Sequence, residues 1–257
     1  MIRRLGAATL ALAMTATLVV AVREPAQAAA LCATPGRDGS PGALSGIVDT
    51  YYAGSANAAV GATSITVAAH ATGDAGTAIA SGDLLLVIQM QGATLNTTNT
   101  ANYGDGSGSG TGATAVTAGT FEYVVANGAL ANTGGSIAVK GTNANGLIHA
   151  YTTGGGARFQ VIRVPQYAAP TLAAGLTALA WNGTAGGVLS IDSQNLLFGN
   201  GATVSVDGRG FRGGGARQLA GDNTAANGDW VSPNTKNAHG QKGEGIAGTP
   251  TYVYSSV

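Results

Sequence analysis

DLLLVIQM, residues 83–90, is apolar throughout its middle, which is typical of a β-strand that is covered on both faces. Short apolar runs of the same kind recur along the chain, each closed by Gly, Asn or Asp. No stretch after residue 30 keeps the spacing of an amphipathic helix, so the pattern predicts an all-β fold. The other runs are IVDTYY (47–52), SITV (64–67), FEYVV (121–125), IAVK (137–140) and RFQVIRV (158–164).

The composition of the 257-residue chain limits its class. Charged residues make up 9% and hydrophobic residues 45%, with 42 glycines and with 12 basic residues against 12 acidic ones. A charge balance of zero argues against electrostatic capture of nucleic acid. The glycine content is below the one-third, strictly periodic content of collagen. We therefore expect a glycine-rich β-protein with no nucleic-acid partner.

The first 28 residues have the three parts of a secretory signal peptide, which is helical. Two arginines in the first four residues are followed by an uncharged run over 5–22 and by an Ala-x-Ala pattern that ends at Ala28. A retained anchor is the competing interpretation, but the Ala- and Thr-rich run favours cleavage between Ala28 and Ala30. The protein is then secreted or displayed at the cell surface, with no membrane association after cleavage. Cys32, the single cysteine, cannot form an internal disulfide.

The mature chain divides into three predicted segments. Residues 29–44 are a leader segment rich in Gly, Pro and Ala, and residues 45–167 are a β-rich, sandwich-like domain. Within that domain the stretch 96–118 has almost no large aliphatic residue and is predicted to be a mobile loop. Residues 168–257 form the third segment.

The third segment opens with a linker of Ala, Pro, Thr and Leu and then becomes regular. Three alternating stretches with Gly, Asn or Asp at their corners predict one rung of a glycine-rich, right-handed parallel β-helix, which this chain begins and does not complete. The stretches are GVLSID (187–192), NLLFGNG (195–201) and ATVSVDG (202–208).

Motifs with catalytic meaning are weak in this sequence. GRGFRG (208–213) matches a dinucleotide fingerprint, but no helix can begin in the glycine-rich residues that follow. Only Glu122 and Glu244 are glutamates in the mature chain, and the three histidines lack metal-ligand spacing. We expect no cofactor and no metal. Arginines and aspartates near the fingerprint form either a site for an acidic sugar or phosphate or a solvated loop, and we favour the loop: Asp207, Arg209, Arg212, Arg217, Asp222 and Asp229.

Several strings together resemble the N-terminal region of long, glycine-rich, secreted bacterial surface proteins. Those proteins are adhesin-like, mostly uncharacterised and often continue into immunoglobulin-like repeats. The resemblance covers most of residues 45–250, supplies no catalytic residues and implies that a C-terminal part of the same chain is missing. The strings are SGIVDTYY (45–52), GDLLLVIQMQGA (82–93), FQVIRVPQY (159–167), GATVSVDG (201–208) and KGEGIAGTP (242–250).

Two functions follow as hypotheses. The first is a secreted or cell-surface, adhesin-like structural protein that presents a β-scaffold to surface polysaccharide or to other surface proteins and has no reaction of its own. The second is a polysaccharide lyase or glycoside hydrolase on a parallel β-helix. Its candidate catalytic residues are Asp192, Asp207 and Arg209, which lie on or beside the predicted rung.

Overall fold

The computed structural model describes residues 33–95, 113–143, 145–214 and 243–249. These residues form β-strands and no helix, so the predicted all-β class is confirmed. The predicted signal peptide, 1–28, and residues 96–112 of the predicted loop lie outside the described residues. The strands are β1 Ala43–Ile47, β2 Thr50–Gly54, β3 Ser64–His70, β4 Leu84–Gln91, β5 Thr94–Leu95, β6 Ala113–Thr114, β7 Phe121–Ala126, β8 Gly135–Lys140, β9 Arg158–Val164, β10 Gln166–Tyr167, β11 Thr171–Thr177, β12 Asp192–Ser193 and β13 Leu197–Phe198.

Six strands close into an antiparallel barrel in the order β2-β3-β8-β7-β4-β9. The predicted sandwich-like arrangement is therefore wrong. Closure is made by β9, which pairs with β2 through Arg163 and Thr50 and with β4 through Val164 and Leu84. A closed barrel gives every strand two hydrogen-bonded neighbours, whereas the sheets of a sandwich leave edges to be protected.

Strand β4 is buried on both faces, as its sequence predicts. Leu85 and Val87 point into the barrel and are fully buried. Leu84 and Leu86 point outward and pack in a second buried cluster with other residues, including Tyr51. The barrel interior is filled mainly by aliphatic and aromatic side chains, among them Tyr52, Ile65, Val124, Ile137, Leu147, Tyr151, Phe159 and Val161.

Beside the barrel lies a parallel ladder, the name used here for the sheet β1-β11-β13 together with the pair β10-β12. Gln166 pairs with Asp192 and Leu172 with Phe198, so these two layers are 26 residues apart. Leu44 of β1 pairs with Leu172 from the other side. The ladder therefore has three layers, and the first comes from the predicted leader segment and its continuation.

The predicted rung over residues 187–208 is much less regular than expected. In the described chain it contains only the two-residue strands β12 and β13 and a single parallel bridge between Leu176 and Val204. A parallel β-helix is not shown. Val204 and Val206 are 48% and 46% exposed because no described layer covers them. In contrast, β11 (Thr171–Thr177) lies within the stretch predicted to be a linker.

Ion pairs fasten the start of the described chain to the barrel. Asp38 Oδ1 lies 2.6 Å from Arg163 Nη2, and Arg163 Nε lies 2.8 Å from Asp83 Oδ2. The other oxygen of Asp83 lies 3.0 Å from Arg37 Nε. Because Asp83 and Arg163 are almost fully buried, these four side chains join the first layer of the ladder to β9 and to the residue before β4.

Replacing Gly134 by alanine is expected to destabilise the barrel by about 2–3 kcal/mol. Gly134 has a φ of +79°, and a Cβ there would lie 2.4 Å from the backbone carbon of Ala68 on β3. The closest obstacle is strand backbone, which cannot rotate away. Urea unfolding of the purified variant would measure the loss.

Gly61 is the matched control, because it has the same φ of +79° and, apart from its two chain neighbours, no residue lies within 4 Å of an added Cβ. Gly61→Ala should cost only the left-handed strain, about 1 kcal/mol. Equal losses for the two variants would contradict the close approach of Gly134 to β3.

Candidate functional site

The three candidate residues from the sequence fall in two different clefts. Asp192 lines a cleft of about 270 Å³ between the barrel and the ladder, which we name the junction cleft. Asp207 and Arg209 line a second cleft of about 240 Å³, which we name the strand-edge cleft. The structure thus brings Asp207 and Arg209 to one cleft and places Asp192 in another.

The junction cleft is built from outward-facing barrel residues and from the segment that enters β12. Leu84 of β4, Tyr123 of β7 and Val164 of β9 supply the barrel side. Ser190, Ile191 and Asp192 supply the ladder side, and Ala33 completes the lining. One side of the cleft is therefore apolar and aromatic, and the other carries a hydroxyl and a carboxylate.

Two aromatic rings of β7 are exposed beside this cleft. The strand alternates, so that Glu122 and Val124 are buried and the side chains of Phe121 and Tyr123 remain 54% and 44% exposed. The two rings meet edge to face with their centroids 6.3 Å apart. Since large aromatic side chains are usually buried in large part, a pair of exposed rings next to a cleft is a candidate contact surface.

The polar side of the junction cleft has defined hydrogen-bond geometry. Gln166 Nε2 donates to Asp192 Oδ2 at 3.2 Å, which orients the carboxylate. The hydroxyl oxygens of Tyr123 and Ser190 lie 3.5 Å apart. The cleft thus presents two hydroxyl groups and a carboxylate within one small volume.

Buried groups of the barrel hold the ladder side of the cleft in place. The Ser190 N–H donates to Asp49 Oδ2 at 3.0 Å, and the Tyr51 hydroxyl donates to the Val188 carbonyl oxygen at 2.6 Å. Asp49 lies between β1 and β2 and is fully buried. Its Oδ1 has no hydrogen-bond partner within the described part of the chain. Burial raises the pKa of Asp49 to about 7, although the hydrogen bond from the Ser190 N–H acts in the opposite direction.

The strand-edge cleft combines opposite charges with hydroxyl groups. Thr177, Thr203 and Ser205 line it together with Asp207 and Arg209. The Asp207 N–H donates to Ser205 Oγ at 3.1 Å. Among the described residues no hydrogen bond or ion pair joins the Asp207 and Arg209 side chains, so both charged groups face the cleft without neutralising each other directly.

Both glutamates in the described part of the chain have structural contacts. Glu122 is buried and accepts hydrogen bonds from the backbone N–H groups of Ile148 and His149, each at 3.0 Å. Glu244 accepts from the backbone N–H, Nε and Nη2 of Arg212, each at 2.8 Å. Burial would raise the pKa of Glu244, but its hydrogen bonds with Arg212 and Thr249 lower it below the usual value.

The cluster of arginines and aspartates near the fingerprint is divided by these contacts. Arg212 is held by Glu244, whereas Arg209 lies in the strand-edge cleft with Asp207. The remaining members, Arg217, Asp222 and Asp229, lie outside the described residues.

Sequence reasoning did not find Tyr123, Ser190 or Asp49 as site residues. FEYVV has the pattern of a strand, and its glutamate between two aromatics is the signal that Phe121 and Tyr123 share a face. An aspartate inside the apolar run 47–52 was a signal for Asp49. Ser190 carried no signal, because it lies 67 residues from Tyr123 and meets it only through folding.

Comparison with protein-family models, with curated proteins and with solved structures finds no match to this chain. Within the described ranges, no three or more His, Cys, Asp or Glu side chains are grouped so that they could hold a metal ion. The same part of the chain contains no helix of the length and hydropathy needed to cross a membrane.

Proposed function

We propose that this protein is a secreted or cell-surface structural protein, adhesin-like in character, that presents a braced β-scaffold to surface polysaccharide. It carries out no reaction of its own. The observation that carries the proposal is the use of buried ionisable side chains as cross-links between segments that are distant in sequence.

Three such cross-links support a scaffold. Asp38 of the first layer is paired with Arg163 of the barrel, across 125 residues of sequence. Asp49, between β1 and β2, holds Ser190 across 141 residues. Glu244 holds Arg212 and also accepts from Trp181 Nε1 at 3.3 Å. Contacts of this kind restrict relative movement of the segments, which suits a protein that displays a fixed surface.

The finer architecture within this proposal is a right-handed parallel β-helix that begins at the ladder. Its support is the constant offset of 26 residues between β10 and β12 and between β11 and β13. Leu44 and Leu172 are buried in the same column, while Phe198, the next side chain in register, is 75% exposed. A further parallel strand on β13 would cover that ring.

Export is tested by expressing the chain from residue 1 in a bacterial host with a C-terminal tag. We expect a mature N-terminus between Ala29 and Leu31, and the tag to be detected in the culture fluid or on intact cells. The matched control lacks residues 1–28 and should stay in the cytoplasm. An unprocessed full chain found only in the cytoplasm would contradict the proposed localisation.

The second candidate function is polysaccharide cleavage, and the strand-edge cleft is the observation that favours it. Asp207 and Arg209 lie there together with three hydroxyl side chains, a combination that suits contact with an acidic sugar. The test is release of reducing or unsaturated ends from polygalacturonate, alginate and neutral glucans. Activity that Asp207→Asn abolishes and Asp192→Asn leaves intact would establish the enzyme and overturn the first proposal.

A further inference from the structure

We infer that the junction cleft binds uncharged pyranose units of a polysaccharide, with Tyr123 as the stacking surface and with Ser190 and Asp192 as hydrogen-bond partners. This inference deepens the proposed function and rests on it, since it assigns the site through which the scaffold contacts a glycan. The site is distinct from the strand-edge cleft that contains Asp207 and Arg209.

Tyr123 and Phe121 give the cleft an exposed aromatic surface. One face of a pyranose ring is lined by C–H groups, which are apolar and pack well against an aromatic ring. Tyr123 lines the cleft and is 44% exposed, and Phe121 lies beside it at 54% exposure. The two rings contact each other edge to face on the same side of β7. A ligand that covers them removes apolar surface from water, which favours binding.

Polar groups lie opposite the rings. A sugar hydroxyl both donates and accepts, so it needs acceptors and donors close together. Asp192 is an acceptor oriented by Gln166, and the hydroxyls of Ser190 and Tyr123 can act in either role. A few placed polar groups on an otherwise apolar lining are typical of small-molecule sites.

Charge and size select the class of sugar. Asp192 is the one ionisable side chain other than Tyr123 in the cleft's described lining, and that lining contains no basic residue. A carboxylate with no basic residue in the same lining repels the carboxylate of a uronic acid, so the site favours uncharged sugars. Its volume of about 270 Å³ lies just below the usual range of roughly 300–1,000 Å³ for ligand pockets. It therefore suits one or two rings of a longer chain.

The ladder side of the cleft is held before any ligand arrives. Asp49 fixes the Ser190 backbone and Tyr51 fixes the Val188 carbonyl, so neighbouring Asp192 enters β12 in a set position. A wall that is already ordered loses little conformational entropy on binding, which improves affinity for a weakly interacting ligand.

Affinity electrophoresis of the mature chain provides the test. The neutral probes are mixed-linkage β-glucan, galactomannan, xylan and dextran, and the acidic probes are polygalacturonate and alginate. We expect retardation by at least one neutral polysaccharide and by neither acidic one. Tyr123→Ala should weaken that binding at least about tenfold, and Asp192→Asn roughly fivefold.

Phe198→Ala is the matched control, because Phe198 is an aromatic residue that is 75% exposed and lies on β13 outside the junction cleft. It should bind as the parent does, and melting curves should show that each variant is folded. Three results would overturn the inference: no retardation by any neutral probe, retardation by the acidic probes alone, or loss of binding in Phe198→Ala but not in Tyr123→Ala. If the chain is exported but binds no glycan, the inferred binding site is wrong and the proposed structural role still stands.

Discussion

Replacing Asp49 by asparagine is expected to remove about 4 kcal/mol of pH dependence from the stability of this protein. Asp49 is fully buried, and its Oδ1 meets no hydrogen-bond donor among the described residues. Asparagine has nearly the same shape, keeps an oxygen for the Ser190 N–H and carries no charge. The variant should therefore keep the fold and lose the cost of burying a carboxylate.

The direction of the effect follows from the two pKa values. Asp49 titrates near 3.8 when unfolded, and burial raises its pKa to about 7 in the folded chain. The folded state thus binds the proton more tightly, and this contribution to stability is complete below about pH 4. It is lost as the pH rises from about 4 to about 7, where about 3 pKa units correspond to about 4 kcal/mol.

Urea unfolding of parent and variant at pH 4.5, 6.0 and 8.0 measures the difference. Asp49→Asn should gain stability relative to the parent as the pH rises, because the contributions of other titrating groups are common to both chains and cancel. The control is Asp207→Asn, since Asp207 is exposed. Across this pH range, the difference in free energy of unfolding between that variant and the parent should change by under about 0.5 kcal/mol. A constant difference between parent and Asp49→Asn across this range would show that Asp49 is not buried as described.

Strands that bury large side chains were predictable from the sequence. The run RFQVIRV coincides with β9, and DLLLVIQM overlaps β4 almost completely. Both are dense in branched aliphatic residues, so local pattern alone indicates a strand. In contrast, β11 consists of Thr, Leu, Ala and Gly and has little local preference. It becomes a strand because β1 and β13 pair with it on either side.

The closed barrel was not predictable, because it depends on pairing between distant segments. Closure requires β2 to meet β9 at Tyr51 and Ile162, more than one hundred residues apart in sequence. A sandwich and a barrel use strands with the same alternation, so periodicity cannot separate them. Register across the closing pair decides the architecture, and no short motif encodes it.

From the sequence, candidate site residues could be predicted only by the chemistry of each residue type, and not by their position in space. Asp207 and Arg209 are two residues apart and share a cleft. Asp192 was expected beside them, but the bracing of Ser190 by Asp49 turns its segment toward the barrel. The junction cleft thus combines residues of β4, β7, β9 and β12. Such a site exists only after the barrel and ladder pack together.

Replacing Arg163 by methionine is expected to destabilise the protein by about 4 kcal/mol. Arg163 Nε contacts Asp83 at 2.8 Å, and Nη2 contacts Asp38 at 2.6 Å. Burial alone would lower the pKa of Arg163, but its hydrogen bonds to Asp38 and Asp83 raise it, so the guanidinium stays charged. Methionine fills much of the same space but leaves the 3% exposed side chain of Asp83 without its buried partner.

Arg37→Met is the matched control for this pair, since Arg37 contacts the same Asp83 at 3.0 Å from a position that is 34% exposed. Solvent screens that contact, and its loss should cost about 1 kcal/mol or less. Urea unfolding of both variants at pH 7 measures the two costs. Arg163→Met should also expose the first layer of the ladder to protease near Asp38, because the Asp38 carboxylate then depends on its hydrogen bond from the Gln166 N–H at 2.8 Å. Equal costs for the two arginines would mean that the buried ion pair does not fasten this layer to the barrel.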